Sequence, residues 1–230
     1  MPKIYYTYNE IYFDVVDTPI KAYYLGLLYA DGCLNSDRHR ISIGLISPDK
    51  YILEKLRSEL KTDKKLYYRK SKDYYYLNID NVKLYNALIK QGLIPRKTNT
   101  IKFPNLKEHL IKHFILGYFD GDGCLTNYGK KKKFSKFSFV CNENISSSLK
   151  TIFKKELNIN FYEYKKYEPN IVELLTGGNY QILKACSWLY NDAVIYMKRK
   201  YEKYLEIIEK VNNAKLHHKK YKDLPIEFNW

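Results

Sequence analysis

An eleven-residue segment occurs twice in this chain of 230 residues. Tyr24-Leu-Gly-Leu-Leu-Tyr-Ala-Asp-Gly-Cys-Leu34 and Ile115-Leu-Gly-Tyr-Phe-Asp-Gly-Asp-Gly-Cys-Leu125 share Leu, Gly and Asp-Gly-Cys-Leu at the same offsets, 91 residues apart. A repeat at such a period means that one structural unit is present in two copies. The residues after each copy match as well. After the first, Ile41, Ile43 and Leu45 alternate with Arg40, Ser42 and Gly44, and after the second, Phe137, Phe139 and Cys141 alternate with Lys136, Ser138 and Val140. A period of two predicts half-buried strands, beginning at Arg38 in the first half.

A helix comes next in each half. Ser47-Pro48-Asp49 is a helix start, and Ile52, Leu53, Leu56 and Leu60 give its apolar stripe. Asn144 is expected to cap the counterpart, with Leu149, Ile152, Phe153 and Leu157 as its stripe. Two strands come after it, Leu66 to Lys70 with Tyr74 to Ile79 and Phe161 to Tyr167 with Ile171 to Thr176. Closing helices span roughly Val82 to Gln91 and Tyr180 to Tyr190, the first ended by Gly92. The fold class is therefore α+β, two pseudo-symmetric αββαββα repeats, at 1–100 and 101–215. Pro95, Pro104 and the polar run Lys97 to Lys102 mark the join. A further helix is expected from Lys198 to about Val211, and a basic tail, 216–230, has no assignable periodicity.

Each repeated segment reads as a short apolar helix with small residues four apart, Gly26 and Ala30, then Gly117 and Gly121. That spacing leaves a smooth face on which two helix backbones approach closely. Each helix ends in Asp-Gly, which puts a carboxylate where the unpaired carbonyls and the helix dipole already concentrate negative charge. If two such ends meet, a divalent cation relieves the repulsion, and carboxylates with free carbonyls are the hard oxygen ligands Mg²⁺ prefers. A single Asp-Gly is common in turns and carries little weight; two, each before matching elements, carry much more. The formal charge of +15 and pI of about 9.4 imply a polyanionic partner. An AT-rich gene explains why lysine outnumbers arginine, but not why basic residues exceed acidic ones by 15. A basic protein that gathers acid at one point has the character of a metal-dependent phosphodiesterase.

On these residues the chain resembles the single-chain LAGLIDADG homing endonucleases. The match comprises both motifs and the element order, nearly the whole chain. The first motif departs at Tyr24, Leu25 and Tyr29, where the family pattern has Leu, Ala and Asp, and the second has Gly121 for Ala. The resemblance implies that the two motif helices form the central interface and that two four-stranded sheets make a saddle over double-stranded DNA. It implies Asp31 and Asp122 as catalytic metal-binding carboxylates, with the carbonyls of Ala30 and Gly121 as further ligands. Mg²⁺ is the expected metal, with Mn²⁺ substituting and Ca²⁺ binding without supporting cleavage. It also implies hydrolysis of both strands across the minor groove, leaving short 3′ overhangs at a long asymmetric site read by a monomer. Lys97 and Lys200, each following a closing helix, are the expected active-site lysines, with Lys198 as a rival to Lys200. Ser47, and Asn142 or Glu143, are candidates to position water, Ser47 being equally a helix cap.

DNA contacts are expected on the strand faces turned from the core, since a β-ribbon fits the major groove. The candidates are Arg38, Arg40, Ser42, Arg69, Lys70, Lys72, Tyr74, Tyr76 and Asn78 in one half. In the other they are Lys130, Lys131, Lys132, Lys133, Lys136, Ser138 and Lys165, with Glu173 beside them. A solvated polar face is the plain alternative for any one of them. The alternatives for the whole protein are an RNA maturase acting on intron RNA, or a DNA-binding protein that has lost cleavage. The longest apolar run, Ala22 to Ala30, is too short to cross a bilayer and no signal peptide precedes it, so a soluble intracellular protein with no membrane partner is expected. Cys33, Cys124, Cys141 and Cys186 lack C-x-x-C spacing and read as free thiols, and the five histidines form no metal-ligand pair.

Overall fold

The computed structural model describes residues 6–128, 134–166 and 168–217. The first half contains α1 (Pro19–Asp31), β1 (Cys33–Asn35), β2 (Arg40–Ile46), α2 (Lys50–Glu59), β3 (Tyr67–Arg69), β4 (Tyr74–Asp80) and α3 (Val82–Lys90). The second repeats the order with α4 (Glu108–Asp122), β5 (Gly123–Tyr128), β6 (Phe134–Asn142), α5 (Glu143–Leu157), β7 (Tyr162–Lys165), β8 (Ile171–Gly177) and α6 (Asn179–Tyr190). A last helix, α7 (Lys198–His217), extends beyond the expected Val211. Each half builds one antiparallel four-stranded sheet, in the orders β1-β2-β4-β3 and β5-β6-β8-β7.

The element types obey the hydrophobic pattern, and the boundaries shift where turn chemistry decides. β2 begins at Arg40 rather than Arg38, because the chain turns at His39 with φ of 47°. Ser47–Asp49 is a single 3₁₀ turn, with α2 starting after it. The cap of α5 is Asn142, not Asn144; its side chain accepts from the Ile145 N–H at 3.0 Å. The run Lys130 to Lys133 and the tail from 218 lie outside the described residues.

α1 is apolar all round and buried from Ala22 to Ala30, as an axial helix must be. It packs along α4, and this is the most extensive contact between any two elements. The small residues allow it. A Cβ on Gly26 would run into the Phe114 carbonyl, and one on Gly117 into the Tyr23 carbonyl, so the two backbones touch. Their outer sides receive the sheets. Ile41, Ile43, Leu45, Leu77 and Ile79 cover one flank, and Phe137, Phe139, Val172 and Leu174 the other. Phe119 of α4 stacks on Phe137 with centroids 4.6 Å apart, anchoring the second sheet to the axis. Among the described residues no helix is long and apolar enough to cross a membrane.

Gly117→Leu is expected to lose about 3 kcal/mol or more of folding stability, because the overlap is with backbone and cannot be relieved by a rotamer change. Urea denaturation of variant and parent measures it; equal midpoints would mean that the two helices do not meet at this glycine.

Candidate functional site

Packing α1 against α4 brings their C-terminal ends together. A Cβ on Gly121 would lie 3.1 Å from Asp31 Oδ2, so the first carboxylate sits over the end of the second motif helix. Asp31 is exposed, yet the groups crowded around it strip part of its hydration. That desolvation, reinforced by Asp122, raises its pKa to about 6, against the opposing pull of Lys200 and Lys97. Asp122, half-exposed, is also raised by desolvation, offset by Lys97 and Lys200. The Tyr118 hydroxyl donates to the Val140 carbonyl at 3.3 Å and sits close enough to Asp122 to support its charged form.

The two lysines expected here both arrive, and they do so as caps on the motif helices. Lys97 Nζ donates to the Ala30 carbonyl at 2.6 Å. Lys200 Nζ donates to the carbonyls of Phe119, Asp120 (2.8 Å) and Gly123 (2.6 Å). Lys200 is only 5% exposed, and burial lowers its pKa to about 8 even though Asp120 works the other way. Lys97 is lowered too, by desolvation against the pull of Asp122 and Asp31. Lys198 is not the site lysine: its ammonium lies over the Tyr51 ring, 5.0 Å from the centroid. The arrangement is a small cluster of helix-end carbonyls, two carboxylates and two ammonium groups, in which Lys200 is buried and Asp31 is exposed.

Whether a hard divalent cation suits this place can be judged from the donors. Among the described residues no group of three or more His, Cys, Asp or Glu side chains gathers, so Asp31 and Asp122 would be the side-chain ligands and backbone carbonyls the rest. The carbonyl of Ala30 already serves a cation, the Lys97 ammonium. Two crowded carboxylates with raised pKa values beside cation-seeking carbonyls fit a hard metal ion. Beside the site lies a cleft of about 410 Å³ lined in part by Ala30, Lys97, Asp122 and Asn142.

Asp120 was not among the residues expected here. It is wholly buried, and one carboxylate oxygen accepts from the Tyr23 hydroxyl and the Met197 N–H, both at 2.8 Å. Burial raises its pKa to about 6. An Asp directly after the apolar stretch Phe114 to Phe119 was the available signal in the sequence. The suggested water-positioning residues are committed elsewhere. Ser47 Oγ donates to Asp73 Oδ1 at 2.5 Å, and Asn142 caps α5 while donating to the carbonyls of Thr98 (3.2 Å) and Ile101 (2.9 Å). Glu143 is exposed in the first turn of α5.

Strand register decides the expected DNA face. Ser42 pairs with Asn78, Gly44 with Tyr76 and Tyr67 with Tyr76, so Arg40, Ser42, Tyr67, Arg69, Tyr74, Tyr76 and Asn78 share the face turned from the core. Tyr76 lies flat there, its ring occupying the space a Gly44 Cβ would need. Arg40 is held by Asp80 through two hydrogen bonds, at 2.5 and 2.9 Å. Arg38, Arg69, Lys70 and Lys72 are exposed, the last two in a 3₁₀ turn.

The second half needs two corrections. Lys165 pairs with Val172, which is buried, so it belongs to the face opposite Glu173; the pleat alternates and the register sets the parity. Lys166, just past the strand, takes its place, bonding Glu173 at 2.6 Å. Ser138 is on the outer face but only 1% exposed, covered at the level of Glu173. Burial would raise the pKa of Glu173, but Lys136, Lys166 and Ser138 outweigh it and hold the acid at about 2. Tyr162 and Tyr164 are exposed on the same face, inconspicuous in sequence because tyrosine is so common here.

Two axial helices ending in aspartates beneath a pair of four-stranded sheets define the LAGLIDADG endonuclease fold, and this chain has it. Among solved structures, it is similar to the I-LtrWI LAGLIDADG homing endonuclease bound to target DNA, at 14% identity and TM-score 0.56, covering 96% of this chain and 97% of that one. The K262A mutant of I-SmaMI gives TM-score 0.62 at 13% identity, over 89% and 94% of the two chains. Full-length DUF199/WhiA from Thermatoga maritima gives TM-score 0.55 at 17% identity, over 87% of this chain and 64% of that one. No protein-family model matches the chain. No curated protein sequence matches it either.

The raised pKa of Asp31 has a consequence for stability. The folded protein takes up a proton near pH 6 that the unfolded chain takes up only near 3.8, so this group's contribution falls as pH rises through that window. Asp31→Asn removes the penalty. The variant is expected to be more stable than the parent at pH 7.5, with the difference vanishing toward pH 4. Denaturation midpoints across that range check it; a difference independent of pH would contradict the assignment.

Proposed function

We propose that this protein is a homing endonuclease of the LAGLIDADG type, hydrolysing both strands of a long asymmetric DNA site as a monomer. The observation that carries the reading is the meeting of two Asp-terminated helices, with their lysines, in a fold shared with structures of DNA-bound homing endonucleases. Asp31 and Asp122 would hold divalent ions, Mg²⁺ first, with Mn²⁺ as a substitute and Ca²⁺ as an inactive occupant; the carbonyls of Ala30 and Gly121 would complete the set. Such ions, when bound, acidify water and stabilise the departing oxygen of a phosphodiester.

The chain's own groups do the rest. The sheet faces present Ser42, Asn78 and the exposed tyrosines to base edges, while Arg38, Arg69, Lys70 and Lys72 meet phosphates. Lys97 and Lys200 supply fixed positive charge at the place where a phosphate gains negative charge. Their lowered pKa values reflect desolvation, which also strengthens their field. Two different halves need not read a palindrome.

A second reading is nucleic-acid binding without cleavage, on DNA or intron RNA. One experiment separates the two. Asp31→Asn and Asp122→Asn are each expected to abolish double-strand cleavage of a plasmid carrying the target in Mg²⁺, while gel-shift affinity in Ca²⁺ is kept. Removing a carboxylate that repels phosphate does not weaken binding. Full cleavage by either variant, or no cleavage by the parent with Mg²⁺ or Mn²⁺, would overturn the nuclease reading.

A further inference from the structure

The two lysine-bearing segments are held by the opposite half. Lys97 comes after the closing helix of the first half, yet the carbonyls of Thr98 and Ile101 in its segment accept from Asn142 of the second half. Lys200 belongs to the second half, yet the start of α7 is gripped by the first. The Tyr51 hydroxyl donates to the Tyr196 carbonyl and accepts from the Lys198 N–H, both at 2.7 Å, and Arg199 Nε bonds Asp49 Oδ2 at 2.7 Å.

The arrangement is reciprocal. Asp49 and Asn142 are the N-cap residues of the equivalent helices α2 and α5, at the corner where the second strand of each half turns into a helix. Both are buried, 1% and 2% exposed, so their polar groups are spent inside the protein rather than on solvent or DNA. Asp49 makes no side-chain bond to its own helix. Its carboxylate serves α7 instead.

From this exchange we infer that Asn142 and the Tyr51–Asp49 pair are positioning residues that act across the interface, each setting the lysine of the opposite half. The inference rests on the nuclease reading for its effect on cleavage, and stands on geometry alone for its effect on the segments. Asn142 holds the turn just after Lys97, whose own carbonyl accepts from the N–H groups of Thr100 and Ile101. Releasing the turn frees the ammonium to leave the Ala30 carbonyl. The Tyr51 hydroxyl spans Tyr196 and Lys198, immediately before Lys200, and its removal lets the first turn of α7 shift. Misplacement of a catalytic group by about 1 Å lowers a rate on the order of 100-fold.

Two conservative variants test this. Asn142→Ser keeps an N-cap oxygen for α5 but is too short to reach the two carbonyls. Tyr51→Phe removes one hydroxyl and keeps the ring. The assay follows each strand of the target separately under single turnover in Mg²⁺, with gel-shift affinity in parallel. Hydrogen–deuterium exchange of the metal-free, DNA-free protein is measured beside it. Asn142→Ser is expected to slow one strand about 10- to 100-fold and Tyr51→Phe the other strand, with affinity unchanged. Exchange should rise at 98–101 in the first variant and at 197–201 in the second. Equal slowing of both strands by each variant, or unchanged exchange in those segments, would overturn the cross-half assignment. A parent that fails to cut would sink the nuclease reading, and the exchange pattern would still decide whether the grip exists.

Discussion

Two glycines, Gly26 and Gly117, let the axial helices touch backbone to backbone, and nearly everything else depends on that contact. It is made mainly through close packing of small and apolar surfaces, with the buried hydrogen bond from Tyr23 to Asp120 crossing it and no strand pairing between the two sheets. Because the approach is so near, the helix ends cannot splay. Asp31 and Asp122 are therefore held in proximity against their repulsion, by packing energy supplied one to four turns away. The sheets, each fastened to one axial helix, inherit their relative placement from the same contact.

The electrostatics are arranged around that enforced proximity. Helix ends, carboxylates and ammonium groups are crowded into a space where each has lost hydration, and the direction of every pKa shift there reports it: acids up, lysines down. The lysines serve a structural purpose in this state, satisfying carbonyls that the helices leave open. The centre is thus acidic at its rim and neutralised from within, inside a chain whose formal charge is +15.

Much of this was legible in sequence, and the limits have physical causes. The repeat exposed the two halves, and period-two and period-3.6 patterns named the strands and helices, because those signals come from burial. The aspartates stood out because the repeat puts them at the same offset, whereas Lys97 and Lys200 were expected only from the resemblance, each following the closing helix of its half. What a single strand cannot reveal is register. Lys165 and Lys166 are equally plausible one residue apart, and only pairing with Val172 and Glu173 shows which faces outward. Likewise Asn142 looked available to solvent water, since nothing local in sequence shows that the segment after Lys97 folds across it. Asp120 escaped notice for the same reason: its partners, Tyr23 and Met197, lie 97 and 77 residues away.

That buried carboxylate also fixes which half can stand beside which. Position 120 of the second motif helix corresponds to Tyr29 in the first, and the Tyr23 that donates to it corresponds to Phe114. Were two copies of the second half to pair, each Asp120 would face a phenylalanine and lose a hydroxyl partner in a fully buried setting, a strongly unfavourable state for a carboxylate. In two copies of the first half Tyr23 would instead meet Tyr29, whose hydroxyl is given to the Gln91 carbonyl, and would find no acid to receive its own. The hydrogen bond from Tyr23 to Asp120 therefore acts as a lock on partner identity: it favours the unequal pairing of the duplicated halves over a symmetric pair of either half.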